Sequence, residues 1–218
     1  MVSHAMEDYI AAIWRLTQDG SAATTSEVAR QLGVTAASTS YMFKKMAEAG
    51  LVEHKEYAGV TLTSAGELAA MGYIRRHRVV ERFLVDVLGI PWDRADGISD
   101  QMEHSLPEEV IDRMYAVMGE PATCPHGYPI PTKEGKMPEL HLRPMAEMAP
   151  GEEGVILQVA EHDPKLLAYF EEHGLKPGNP VRLIDRDRLG ETLTLGLKGS
   201  AEPFVLGVAI ARLIQVNA

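Results

Sequence analysis

Residues 24 to 50 constrain the fold of this chain more than any other stretch. Thr24-Thr-Ser-Glu27 is a capping box, in which the threonine hydroxyl and the glutamate carboxylate each accept from the other's backbone N–H. It opens a short helix over Ser26 to Leu32, which Gly33 ends. Thr35 can cap the next helix, Ala36 to Ala49, before Gly50 stops it. Two short helices separated by so short a turn have helix-turn-helix spacing. Ahead of them, Tyr9, Ile10, Ile13, Trp14 and Leu16 give a helix over Met6 to Gln18 one apolar face. Behind them, Leu51-Val-Glu-His and Val60-Thr-Leu-Thr flank a turn at Tyr57-Ala-Gly59, the pattern of a β-hairpin. The first third is therefore expected to be a winged helix-turn-helix.

In that fold the second helix of the pair enters the major groove. Its outward residues Thr35, Ala37, Ser38, Ser40 and Tyr41 are small or hydroxyl-bearing, with Lys44 and Lys45 placed for the phosphates. Hydroxyls hydrogen-bond base edges or phosphates, and alanine can meet a thymine methyl. No Arg or Asn is available there for bidentate readout, so specificity is expected from DNA shape or paired half-sites. The same face would also serve a protein-binding winged helix. A net charge of -10 opposes non-specific nucleic-acid binding. Residues 1–73 are themselves acidic, with 5 Lys/Arg against 8 Asp/Glu. Bound cations would help such a domain approach DNA.

The rest of the chain is rich in metal-ligand side chains. A long helix is expected from Ser64 to about Leu88, carrying His77 and Glu81 four residues apart, where both can reach one ion. Alone, that pair also fits a surface ion pair or a satisfied histidine. A second helix from Pro91–Asp93 carries Asp96, Asp100, Glu103 and His104; its three acids crowd one face, a repulsion that a cation would relieve. Ser105 and Glu108 read as a further capping box, opening a helix to Met118. Cys124 and His126, two apart in a Pro-rich loop, can chelate, although a free cysteine beside a turn histidine fits the same residues. Leu84, Val85, Val87, Leu88, Ile111, Met114 and Val117 supply an apolar bundle and a dimer face.

Residues 133–152 read as a linker, rich in Lys, Glu, Pro, Gly and Met. Short β-runs follow at Val155 to Ala160, Val181 to Asp185, Thr192 to Leu197 and parts of Phe204 to Val216, the pattern of a small SH3-like barrel. Asp163 caps and Pro164 opens the one helix among them. The expected architecture is α+β and multi-domain: a winged helix-turn-helix over 1–63, a helical dimerisation and metal-binding domain over 64–132, the linker, and an SH3-like β-barrel over 153–218. One cysteine excludes an internal disulfide and fits a reducing compartment. With no signal pattern and no membrane-length apolar run, a cytoplasmic protein without a membrane partner is expected.

The chain resembles the DtxR/MntR family of metal-dependent transcriptional repressors over nearly its full length. The resemblance rests on Met6-Glu-Asp8-Tyr-Ile, Leu51-Val with Leu62-Thr-Ser-Ala-Gly66, Arg76-His77-Arg-Val-Val-Glu81-Arg-Phe-Leu, Glu103-His104, and Cys124-Pro-His126-Gly-Tyr-Pro-Ile-Pro. It implies a homodimer that binds an inverted-repeat DNA operator and carries two metal sites per subunit. Asp8, Asp100, Glu103 and His104 match the ligands of the first helix and dimer domain. His77 and Glu81 match a second site, with Asp96 at another of its positions. Cys124 and His126 match ligands of longer manganese-responsive members, and Asp163 falls near the acidic ligand lent by the SH3-like domain. Iron-responsive relatives carry methionine and cysteine where this chain has Asp8 and Asp100; carboxylates suit Mn²⁺, which is expected over Fe²⁺. Ala11 replaces a glutamate of the short manganese regulators.

Two other readings of the same residues follow different chemistry. A metal-dependent hydrolase would use the acidic cluster to activate water. A metal-buffering or redox-sensing protein would use Cys124. The winged helix and the lack of a catalytic motif favour the regulator.

Overall fold

The computed structural model describes residues 3–55, 59–160, 163–199 and 202–217. Its residues gather into two units, Met1–His77 with Pro131–Pro138, and Arg78–Ile130 with Glu139–Ala218.

The first unit begins with α1 (His4–Leu16), α2 (Thr25–Leu32) and α3 (Ala36–Glu48), followed by β1 (Val52–Lys55), β2 (Gly59–Leu62) and the start of α4 (Ser64–Asp86). The capping box forms as expected: Thr24 Oγ1 accepts from Glu27 N at 3.2 Å, and Thr24 N donates to Glu27 at 2.8 Å. Thr35 caps α3 by accepting from Ser38 N at 3.2 Å. These caps fix where each helix begins, and so which faces turn inward. Ile10, Ile13, Val28, Phe43 and Met46 are buried with Val60 of the wing, each such side chain contributing roughly 1.5–3 kcal/mol. Tyr9 meets Phe43 edge-on at 6.4 Å.

β1 and β2 pair antiparallel, and Ala23 bridges to Val60 on the wing's other edge. Most of the turn expected at Tyr57-Ala-Gly59 lies outside the described residues. Gly66 shows why the run after the wing has its composition: a Cβ there would sit 2.0 Å from the Leu51 carbonyl oxygen. Only glycine lets α4 leave the wing so closely. Arg75, buried, donates to the Pro131 carbonyl at 3.0 Å and holds residues 131–138 in this unit.

In the second unit the end of α4, α5 (Trp92–Met102) and α6 (Glu108–Val117) enclose Val79, Val80, Leu84, Ala95, Ile111 and Ile130. Beyond them come β3 (Leu142–Pro144), β4 (Glu153–Val159), α7 (Pro164–Glu172), β5 (Pro180–Asp187), β6 (Thr192–Leu197), β7 (Phe204–Gly207), α8 (Val208–Ala211) and β8 (Ile214–Asn217). The strands form one six-stranded antiparallel sheet in the order β3-β8-β4-β5-β6-β7. Its register shifts between Ile156 and Gln158 and between Leu183 and Asp185. Such bulges bend a strand and raise its twist, and the sheet wraps around Ile156, Leu183, Leu195, Val216 and, from α7, Leu167 and Phe170. This is the SH3-like domain, and the architecture is α+β.

Three expectations are corrected. Residues 133–152 are not a linker throughout: Leu142–Pro144 is an edge strand, and Met145 and Met148 lie buried in the sheet core. Helix α5 ends at Met102, so Glu103 and His104 stand in a 3-10 turn, Glu103–Ser105, instead of continuing its acidic face. Ser105 is spent in that turn, so the Ser105–Glu108 capping box does not form; Pro107 occupies the N-cap of α6 without a side-chain bond. The run Phe204 to Val216 is strand in parts, as expected, with α8, a single helical turn, between β7 and β8.

Candidate metal centre

Within the second unit, Glu81, Cys124 and His126 converge from two places 43 residues apart in sequence. Helix α4 supplies Glu81; a tight loop supplies the other two. That loop closes on itself, with Cys124 N donating to Tyr128 O and Gly127 N donating to Cys124 O, both at 2.9 Å. Val159 N on β4 donates to the His126 carbonyl, also at 2.9 Å. Gly127 takes φ +87°, and a Cβ there would fall 1.9 Å from Leu157 O, so this approach of loop to strand requires glycine.

All three side chains are buried, and they bring a carboxylate oxygen, a sulfur and a ring nitrogen within 4.8 Å of one another. His126 Nδ1 lies 2.6 Å from Glu81 Oε1, and the imidazole stacks on the Trp92 indole with centroids 4.9 Å apart. Burial pushes the Cys124 thiol well above its ordinary range; the Glu81 carboxylate pushes it further, and Arg78 acts the other way. A divalent cation would reverse that balance, because a coordinating thiol is deprotonated outright. An oxygen, nitrogen and sulfur donor set of this kind fits a transition metal.

The remaining candidates divide as follows. His77, buried, stands one helical turn before Glu81 on α4. Asp96 on α5 brings an oxygen within 4.8 Å of one from Glu81. Asp100 is exposed and Glu103 fully buried, with carboxylate oxygens within 4.8 Å of each other; His104 Nε2 lies 3.8 Å from Glu103 Oε1. Asp8 is half-buried on α1 of the first unit. Asp163 uses its Oδ1 to cap α7, accepting from Lys165 N at 2.8 Å and Leu166 N at 3.3 Å. Among the described residues it joins none of the clusters of three ligand-bearing side chains. Trp92 was missed in the sequence: a lone aromatic at a helix start carries no signal of what it will stack upon.

The face of α3 is as the spacing predicts. Thr35, Ala37, Ser38, Tyr41, Lys44 and Lys45 are exposed and Ser40 is half-buried, while Thr39, Phe43 and Met46 face the core. Tyr41, 60% exposed, lies under the Lys45 ammonium at 4.8 Å, so an aromatic ring and a cation are offered together.

Known proteins match each of the three domains. Residues 1–60 match the DNA-binding domain of iron-dependent repressors, 63–132 their metal-binding and dimerisation domain, and 143–218 the FeoA domain. The iron-dependent repressor IdeR of Mycobacterium tuberculosis is 28% identical over 201 residues, 87% of each chain. The transcriptional regulator MntR of Escherichia coli is 36% identical over 107 residues, 49% of this chain and 68% of that one. The solved structure of a manganese-dependent transcriptional repressor in complex with manganese matches with a TM-score of 0.86 at 31% identity, covering 96% of this chain and 98% of that one. Winged helix, ligand-bearing helical domain and SH3-like sheet define a metal-dependent, DNA-binding transcriptional regulator. The chain belongs to the DtxR/MntR family of metal-dependent repressors.

Proposed function

We propose that this regulator responds to Mn²⁺ ahead of Fe²⁺ and, as a homodimer bound to an inverted repeat, represses genes of metal uptake. The observation that carries its metal dependence is the buried Glu81, Cys124 and His126 cluster, whose ligand atoms lie within 4.8 Å of one another. The preference for Mn²⁺ rests on Asp8 and Asp100, which offer hard oxygen donors. In this reading two sites per subunit divide the ligands. Asp8, Asp100, Glu103 and His104 serve one; Glu81, Cys124 and His126 serve the other, with His77 and Asp96 near in sequence or space.

When bound, the cation supplies the positive charge that lets these carboxylates stay gathered. Asp8 then restricts the orientations of α1 and of the winged domain it opens, which favours the arrangement in which two α3 helices fit successive major grooves. Thr35, Ala37, Ser38, Ser40 and Tyr41 read that groove, and Lys44 and Lys45 hold phosphates. The functional segments are 1–63 for DNA, 64–132 for dimerisation and metal, and 142–218 for the SH3-like domain, which begins at β3.

The test is selection from random duplex DNA by the full chain in Mn²⁺. The reading expects an inverted repeat with half-sites about one turn, roughly 10 bp, apart. Recovery of no common sequence, or of one equally enriched with chelator present, would overturn it.

A further inference from the structure

We propose that Trp92 is the positioning residue that joins the Glu81–Cys124–His126 site to the SH3-like sheet, an inference that rests on reading that cluster as a metal site. Trp92 is 1% exposed and opens α5, yet its side chain belongs to the core cluster of the sheet domain. It has two distinct contacts. Its ring stacks on the His126 imidazole, 4.9 Å between centroids and 27° between planes. Its indole N–H donates to the Leu167 carbonyl on α7 at 3.2 Å. The Lys176 ammonium, just beyond α7, lies 5.1 Å from the same ring.

His126 is thus held by three elements. Glu81 on α4 lies against its Nδ1, Trp92 on α5 covers a ring face, and Val159 on β4 bonds its carbonyl. An imidazole that shifts to take a metal must carry the indole with it, because protein interiors are packed too closely for one ring to move alone. The indole is bonded to α7, so the shift reaches the sheet domain. Coupling is reciprocal: a metal that favours one seating of α7 binds more tightly when α7 is already seated so. The two halves of Trp92 have separable roles. Its ring sets the angle of a ligand, and its N–H passes the occupancy of the site to α7.

The experiment uses the full chain with Co²⁺, whose thiolate charge-transfer absorption reports the Cys124 site, and Cys124→Ser as the control that should lack the band. Trp92→Leu removes ring and N–H, and should weaken Co²⁺ binding at this site by about tenfold or more, the usual loss when a ligand's supporting partner is removed. Trp92→Phe keeps an aromatic face and should restore most of that affinity, yet lose the Co²⁺-induced hydrogen-exchange protection of α7 amides that the unaltered protein should show. If Trp92→Leu does not fold, the loss of α7 protection in Trp92→Phe decides alone. No charge-transfer band in the unaltered protein would overturn the metal reading of the cluster and this proposal together. A normal band, with Trp92→Phe showing full metal-induced protection of α7, would overturn this proposal alone.

Discussion

Replacing Gly127 with alanine tests whether the loop of Cys124 and His126 is built by backbone approach. The new Cβ would lie 1.9 Å from Leu157 O and 2.7 Å from Gln158 Cα, both backbone atoms that cannot rotate aside. Relieving that overlap takes a displacement of about 1 Å between loop and β4. The first casualty is the bond from Val159 N to the His126 carbonyl, 2.9 Å in the structure, worth about 0.5–1.5 kcal/mol. A non-glycine residue at φ +87° adds about 1–2 kcal/mol. With the packing lost around the displaced loop, the cost should reach ~3 kcal/mol. For a chain of this length that is a fall of about 6–12 °C in the unfolding transition measured by calorimetry. Metal affinity should fall as well, by about tenfold or more, because His126 and Cys124 move with their backbone. A Gly127→Ala protein that melts and binds Co²⁺ like the unaltered chain would refute the reasoning.

Other perturbations separate the parts of the site. Tyr41→Ala or Ser38→Ala, on the exposed face of α3, should weaken operator binding by about 1–3 kcal/mol in an anisotropy titration while leaving metal affinity unchanged; a changed metal affinity would show that these residues act elsewhere. Cys124→Ser should reduce Zn²⁺ or Cd²⁺ affinity more than Mn²⁺ affinity by calorimetric titration, since the thiolate prefers softer ions. An equal or larger loss for Mn²⁺ would make the sulfur a main ligand for it. Glu103→Gln keeps the size of a fully buried side chain but removes its charge. It should raise the Mn²⁺ concentration needed for DNA binding by about tenfold or more, with circular dichroism unchanged, and activation at the normal concentration would misplace the site.

What the sequence reveals of this molecule follows the range of the interactions involved. Thr24, Glu27 and Thr35 act on backbone groups within three residues of themselves, so the helix-turn-helix is legible from spacing alone. The pairing of Glu81 with Cys124 and His126 spans 43 residues and depends on where β4 and α5 press the loop, whereas the i, i+4 relation of Glu81 to His77 lies within one helix. Met145 and Met148 sit among prolines and glycines, where composition points to a linker; their burial becomes visible only once β3 pairs with β8. The end of α5 has a local cause. A continuing helix would have kept Glu103 in line with Asp96 and Asp100, but a 3-10 turn ahead of Pro107 ends the regular spacing.

The most direct test of metal-dependent DNA recognition is the affinity of the full chain for its selected inverted repeat, measured at fixed ionic strength with saturating Mn²⁺ and again with chelator. The account predicts tighter binding with Mn²⁺ by about 5–150-fold, the range of a coupling of about 1–3 kcal/mol between two sites. Equal affinities in the two conditions would contradict it.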